Sequence, residues 1–181
     1  MDEGLWQMKD ALGHGSNAHG AHAQGIEKVG KVPIGVTWGK NKKVNLEQAQ
    51  SIAKALGHNT TVYSNPKNTG PAYYFQGGIH FNAAHKYWRD PVGTMQKANN
   101  LSSSSPEHVI HHEIGHAIYD APDNFMNGHH EQNIARTHVS KYAAMNPKEF
   151  VSEVHAGTKA GKEYPAEVMQ IFNRYARPRK G

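Results

Sequence analysis

A chain of 181 residues with 37% hydrophobic content is long enough for one packed domain and too short for two of ordinary size. Its net charge of +5 is scattered, apart from the tail Arg177, Arg179 and Lys180, and no aromatic-interleaved basic segment accompanies it, so no nucleic-acid partner is expected. There is no Cys, which leaves His and carboxylates as the only strong ligands for a transition metal, and the chain holds 14 His.

The first 30 residues carry the stretch GHGSNAHGAHAQG (13–25), rich in Gly, Ala and His with no apolar period. Such a stretch cannot bury enough surface to offset its ordering entropy, so residues 1–30 are expected to form a flexible arm and 31–181 the folded domain. Neither an export signal in MDEGLWQMKD nor any run near the roughly 18 apolar residues of a membrane span is read. The expectation is no membrane partner, with localisation unknown. VPIGVTW (32–38) reads as a strand and LEQAQSIAKALG (46–57) as a helix closed by Gly57. TTVYS (60–64), AYYFQ (72–76) and GIHFN (78–82) read as strands separated by Asn, Pro and Gly turns.

The second half is expected to be mainly helical. Ser105-Pro106-Glu107 starts a helix running to about Asp120, with the hydroxyl as N-cap and Pro at N1. Further helices are expected over 128–143, from Pro147 to about Ala156 with Asn146 as N-cap, and from Pro165 to Arg177. The whole is α+β, a small mixed sheet packed on helices.

The segment HVIHHEIGHAIYD contains His112-Glu113-Ile114-Gly115-His116. Residues four apart on a helix project from one face, so both imidazoles can reach one ion, and Glu113 lies beside them, able to accept a proton from water. Ile110, Ile114, Ala117, Ile118 and Ala121 form the opposite, core-facing stripe. Gly115 costs about 1 kcal/mol of helix propensity, which calls for a packing or close-approach reason. His111 points roughly 100° from His112 and should not share its ion; it reads as a surface or half-buried residue, and His108 as a partly exposed one.

A catalytic zinc takes three protein ligands and keeps a fourth position open. Tyr119 and Pro122 stand where a metzincin has Gly and His, which excludes that arrangement. Asp120, His129, His130, His138, Glu149 and Glu153 remain as candidates for the third ligand.

The block from Tyr142 through Asn146, Glu149, Phe150 and Glu153 resembles the one that follows HExxH in a gluzincin group. That group includes the catalytic domain of anthrax lethal factor and peptidase-like domains of phage head-associated proteins. The resemblance spans about residues 108–175, with Val151, Ser152 and His155 departing from the pattern. It implies a zincin-like domain with Zn2+ held by His112, His116 and Glu149, and with Glu153 orienting a ligand His. It also implies Glu113 as general base, Tyr142 as oxyanion donor, and the strand in GGIHFN as the edge beside a peptide. The expected function is a zinc endopeptidase acting on a protein or peptide, with phage structural proteins as possible partners. The alternative is a phage structural or assembly protein that keeps the domain as a non-catalytic docking module.

Overall fold

A computed structural model describes residues 27–28, 54, 60–65, 67–82, 85–98, 100–124 and 126–179. The expected strand at 32–38, the helix at 46–57 other than Lys54, and nearly all of the 1–30 arm lie outside them. The described elements are strands β1 (Glu27–Lys28), β2 (Thr61–Ser64), β3 (Ala72–Phe75) and β4 (Gly78–Phe81), then helices α1 (Pro91–Ala98), α2 (His108–Ile118), α3 (Gly128–Ile134), α4 (Pro147–Lys159) and α5 (Ala166–Tyr175). A short 3-10 turn, Lys86–Arg89, precedes α1, and a π-helical turn, Ala135–Val139, follows α3. The arrangement is a mixed one compatible with the α+β class, strands gathered before helices.

The sheet runs in the order β1-β2-β4-β3. Antiparallel pairing joins β1 to β2 and β3 to β4, while β2 and β4 are parallel. β3 and β4 form a hairpin whose two loop residues, Gln76 at φ 47° and Gly77 at φ 83°, both have positive φ, as a two-residue turn matching the strand twist requires. The parallel β2–β4 pairing puts β4 inside the sheet with all four residues buried, and β3 at the border. This corrects the expectation that GGIHFN forms the edge: among the described residues Gly78–Phe81 is interior, and Ala72–Phe75 and Glu27–Lys28 are the two border strands.

Two apolar clusters flank a central helix pair. Val62, Ile79 and Phe81 of the sheet, with Tyr87, Trp88 and Met95, pack on Val109, Ile110 and Ile114 of α2. Ile134, Ala135 and Val139 meet Phe150, Val151 and Val154 of α4 and Val168 and Ile171 of α5 in the second cluster. Of the predicted stripe on α2, Ile110 and Ile114 are buried and Ile118 packs against the first cluster, whereas Ala121 joins the second.

Local chemistry explains most boundaries. Asn146 accepts from the Glu149 amide at 2.9 Å and Pro147 follows it, so α4 begins where its cap and its φ-restricted residue demand. α2 opens at His108, two residues later than the serine cap suggested: the His108 amide closes a turn on Ser105 C=O at 3.0 Å ahead of the helix, with Ser105 Oγ accepting from the Glu107 amide. α1 and the 3-10 turn occupy a stretch in which no helix was read. The expected helix at 128–143 stops at Val139: its last turn is wound as π, closed by Ser140 N–H donating to Ala135 C=O at 2.9 Å, and Ser140 then leaves in extended conformation. A buried Glu131 on α3 takes hydrogen bonds from Arg174 and Tyr175, tying α3 to α5.

Candidate metal centre

α2 and α4 cross at Gly115. A Cβ there would stand 2.8 Å from Ser152 Cα and 3.0 Å from Ser152 Oγ, which is the close approach that the glycine in the motif suggested. The crossing brings His112 and His116, one turn apart on α2, against Glu149 in the first turn of α4. Glu149 Oε2 lies 3.0 Å from His112 Nε2 and 3.4 Å from His116 Nε2, and all three residues are buried. These three form a group able to hold a metal ion. A tetrahedral ion with bonds of 2.0–2.1 Å sets its donor atoms about 3.3 Å apart, and the separations of 3.0 and 3.4 Å from Glu149 to the two imidazoles bracket that spacing.

The charge balance points the same way. Burial opposes a charge on His112, yet hydrogen bonds and Coulomb attraction from Glu149 and Glu153, one at each ring nitrogen, push its pKa up to about 10. The pocket therefore holds more negative than positive charge and favours a cation, proton or metal, at Nε2. Burial holds the His116 pKa below its usual value, the carboxylates offsetting it only in part, so this imidazole is neutral and ready to coordinate.

Each ligand-candidate ring is held from behind by α4. His112 Nδ1 is 2.9 Å from Glu153 Oε1, and His116 Nδ1 is 2.8 Å from Ser152 Oγ. Burial works against the Glu153 charge, but His108 and His112 outweigh it and pull the carboxyl below its usual range. Its second oxygen, Oε2, accepts from the Ser102 amide at 2.6 Å and from Ser140 Oγ at 2.9 Å.

Glu113 is fully buried. Its Oε2 accepts from the Tyr74 amide of the edge strand at 2.7 Å, while Oε1 has no hydrogen-bond partner among the described residues. Tyr142 is buried with its ring centroid 5.6 Å from that of His112. Burial, then the carboxylates of Glu149, Glu113 and Glu153, raise its pKa well above the usual value, so its hydroxyl keeps its proton.

Of the other candidates for a third ligand, His129 and His130 are exposed. His138 pairs with the exposed Glu167, and Asp120 is exposed beside Arg179. Two expectations about histidines are corrected. His108 is fully buried rather than partly exposed, with Glu153 Oε1 at 2.8 Å and Ser103 Oγ at 2.9 Å engaging its two nitrogens. His111 is buried too, packed edge-on to His155, which also meets Tyr119 on a face away from Glu153.

Sequence reasoning missed Ser152, Ser102, Ser140 and the Tyr74 amide, all of which contact the centre through packing of distant segments. The one available signal was Ser152 itself, a hydroxyl placed one residue before Glu153 where the gluzincin-like pattern has Ala.

Comparison with protein-family models, with curated proteins and with solved structures finds no match to this chain. Among the described residues no helix is long and apolar enough to cross a membrane.

Proposed function

We propose that the chain is a zinc-dependent endopeptidase of the gluzincin type, built on a zincin-like domain, with His112, His116 and Glu149 holding the ion. The observation that carries this reading is the convergence of those three donors beside a buried Glu113 whose Oε1 has no hydrogen-bond partner among the described residues. Two His and one carboxylate are a donor set that suits zinc. When bound, zinc supplies Lewis acidity, acidifying water and polarising a carbonyl.

The chain's own groups supply the proton transfers and the orientation. Glu113, steadied through Oε2 by the Tyr74 amide, takes the proton of the attacking water at Oε1 and passes it to the leaving amine. Tyr142, kept protonated by its surroundings, donates to the oxygen on which negative charge develops. Among the described residues β3 borders the sheet, where an extended peptide can pair with its backbone, and its Tyr74 amide ties that border to the general base. A docking module without catalysis has no use for a buried carboxylate oxygen that lacks a donor among the described residues, since leaving it unpaired costs free energy.

The test pairs metal analysis with turnover. Wild type should carry about one zinc per chain and Glu149→Ala should lose most of it. A peptide library should be cleaved by wild type and about 10²–10⁴-fold more slowly by Glu113→Gln. Zinc bound with no cleavage by either form would favour the non-catalytic docking module instead, and zinc retained by Glu149→Ala would mean the wrong third ligand.

A further inference from the structure

We propose that His108 is a positioning residue for the metal centre: it holds Glu153 in the orientation that fixes His112. The inference rests on the reading of His112 as a metal ligand. His108 stands one turn before His112 on α2, so both rings face α4, and both meet the same carboxylate oxygen. Glu153 Oε1 is 2.8 Å from His108 Nε2 and 2.9 Å from His112 Nδ1. His108 Nδ1 is 2.9 Å from Ser103 Oγ. His108, His112 and Glu153 are all fully buried.

Proton positions follow from the chemistry of the ends. If His112 coordinates through Nε2, its Nδ1 carries the proton and donates to Glu153. Glu153, ionised and accepting only, needs a second donor on Oε1, so His108 carries its proton on Nε2 and accepts from the Ser103 hydroxyl at Nδ1. With the Ser102 amide and Ser140 Oγ on Oε2, Glu153 accepts four hydrogen bonds, as many as a carboxylate has lone-pair sites. His108 thus closes the set that keeps this carboxylate charged and still, and the run Ser102-Ser103 supplies a further donor on each side.

His108, His112 and Glu153 also satisfy the distance requirement for a metal group of their own. Hydrogen bonding accounts for them better. Separations of 2.8 and 2.9 Å are those of hydrogen bonds, and the remaining polar atoms of His108 and Glu153 are engaged by Ser103, Ser102 and Ser140. A second ion would also have to strip His112 Nδ1 of its proton.

The experiment measures zinc affinity by competition with a chromophoric chelator. It compares wild type, His108→Phe, which keeps a ring without a donor, and His108→Gln, whose amide donates from near the position of Nε2. His108→Phe should bind zinc about tenfold more weakly and His108→Gln within about threefold of wild type. In a Glu153→Gln background, His108→Phe should add nothing, since it acts through Glu153. If the phenylalanine form does not fold, Ser103→Ala, at a half-buried site, should weaken zinc in the same direction and less. Equal affinity in wild type, His108→Phe and Ser103→Ala overturns the proposal. So does a wild type holding two zinc ions per chain, one of which His108→Phe removes. Failure of the metal centre itself is separable: wild type and Glu149→Ala would then be alike in holding no zinc, whereas a centre lost in Glu149→Ala and indifferent to His108 removes this inference alone.

Discussion

Gly115 carries two demands in one residue. It sits between Ile114, which faces the first apolar cluster, and His116, whose ring must reach Glu149, and it is the point at which α4 backbone touches α2. A methyl group there would meet Ser152 Cα at 2.8 Å, and backbone cannot turn aside as a flexible side-chain tip can. Gly115→Ala should therefore destabilise the chain by about 1–3 kcal/mol, despite the better helix propensity of alanine, because the helices must separate. Denaturant unfolding checks the sign: an alanine variant as stable as wild type or more stable would mean that propensity outweighs the close approach. The separation would also move Ser152 Oγ from His116 Nδ1, so zinc affinity should fall with stability.

Elements are tied to one another at the centre's edge by the segment that follows α5. The Asp120 amide donates to Arg177 C=O at 2.7 Å and the Arg179 amide to Ile118 C=O at 2.9 Å, around a bridge between Tyr119 and Pro178. Arg179 then reaches back, donating to His116 C=O and Tyr119 C=O at 3.2 Å each, and lies over the Tyr74 ring at 5.5 Å. A guanidinium at the C-terminus of α2 complements the helix dipole and satisfies its last carbonyls, while its stacking joins α2 to the edge strand. Arg179→Ala should lower stability by about 1 kcal/mol, and Arg179→Lys should recover only part of it, because an ammonium lacks the planar fork. Chemical denaturation of the three forms decides; full recovery by lysine would reduce the contact to charge alone.

For the whole molecule, the centre lies where its two halves meet. His112 and His116 stand on α2, which packs on the sheet, and Glu149 on α4, which packs on α3 and α5. An ion bound there joins the two layers, and at a hundredfold excess over its Kd it should stabilise the fold by about 2.7 kcal/mol. For a chain of this size that is a rise in Tm of about 5–10 °C, reversed by a chelator and absent in Glu149→Ala. The pH dependence has a definite sign. In the metal-free protein His112 stays protonated up to about pH 10, and zinc must displace that proton, so affinity should fall about tenfold per unit as pH is lowered. Melting with and without zinc at pH 8 and pH 6 should show the larger shift at pH 8; equal shifts would mean that no proton is exchanged at the site.

Local codes carried much of this. The short β-branched and aromatic runs TVYS, AYYF and GIHF between turn residues, the Asn146-Pro147 start of α4 and the i, i+4 spacing of His112 and His116 are each written within a few residues, because turn chemistry, capping and helical period act through neighbours in the chain. Tertiary structure decided the rest. Residue spacing alone left six candidates open, which the resemblance narrowed to Glu149; what brings Glu149 to His112 and His116 is the crossing of α4 over α2 at a glycine, and among the described residues β4 is interior because β2 pairs with it in parallel. The burial of His108 and the four donors around Glu153 come from three segments far apart in sequence. A hydrogen bond spanning 13 to 51 residues leaves no periodic trace in the chain, since its partners share neither a helix turn nor a strand pleat. It exists only once packing has brought them together.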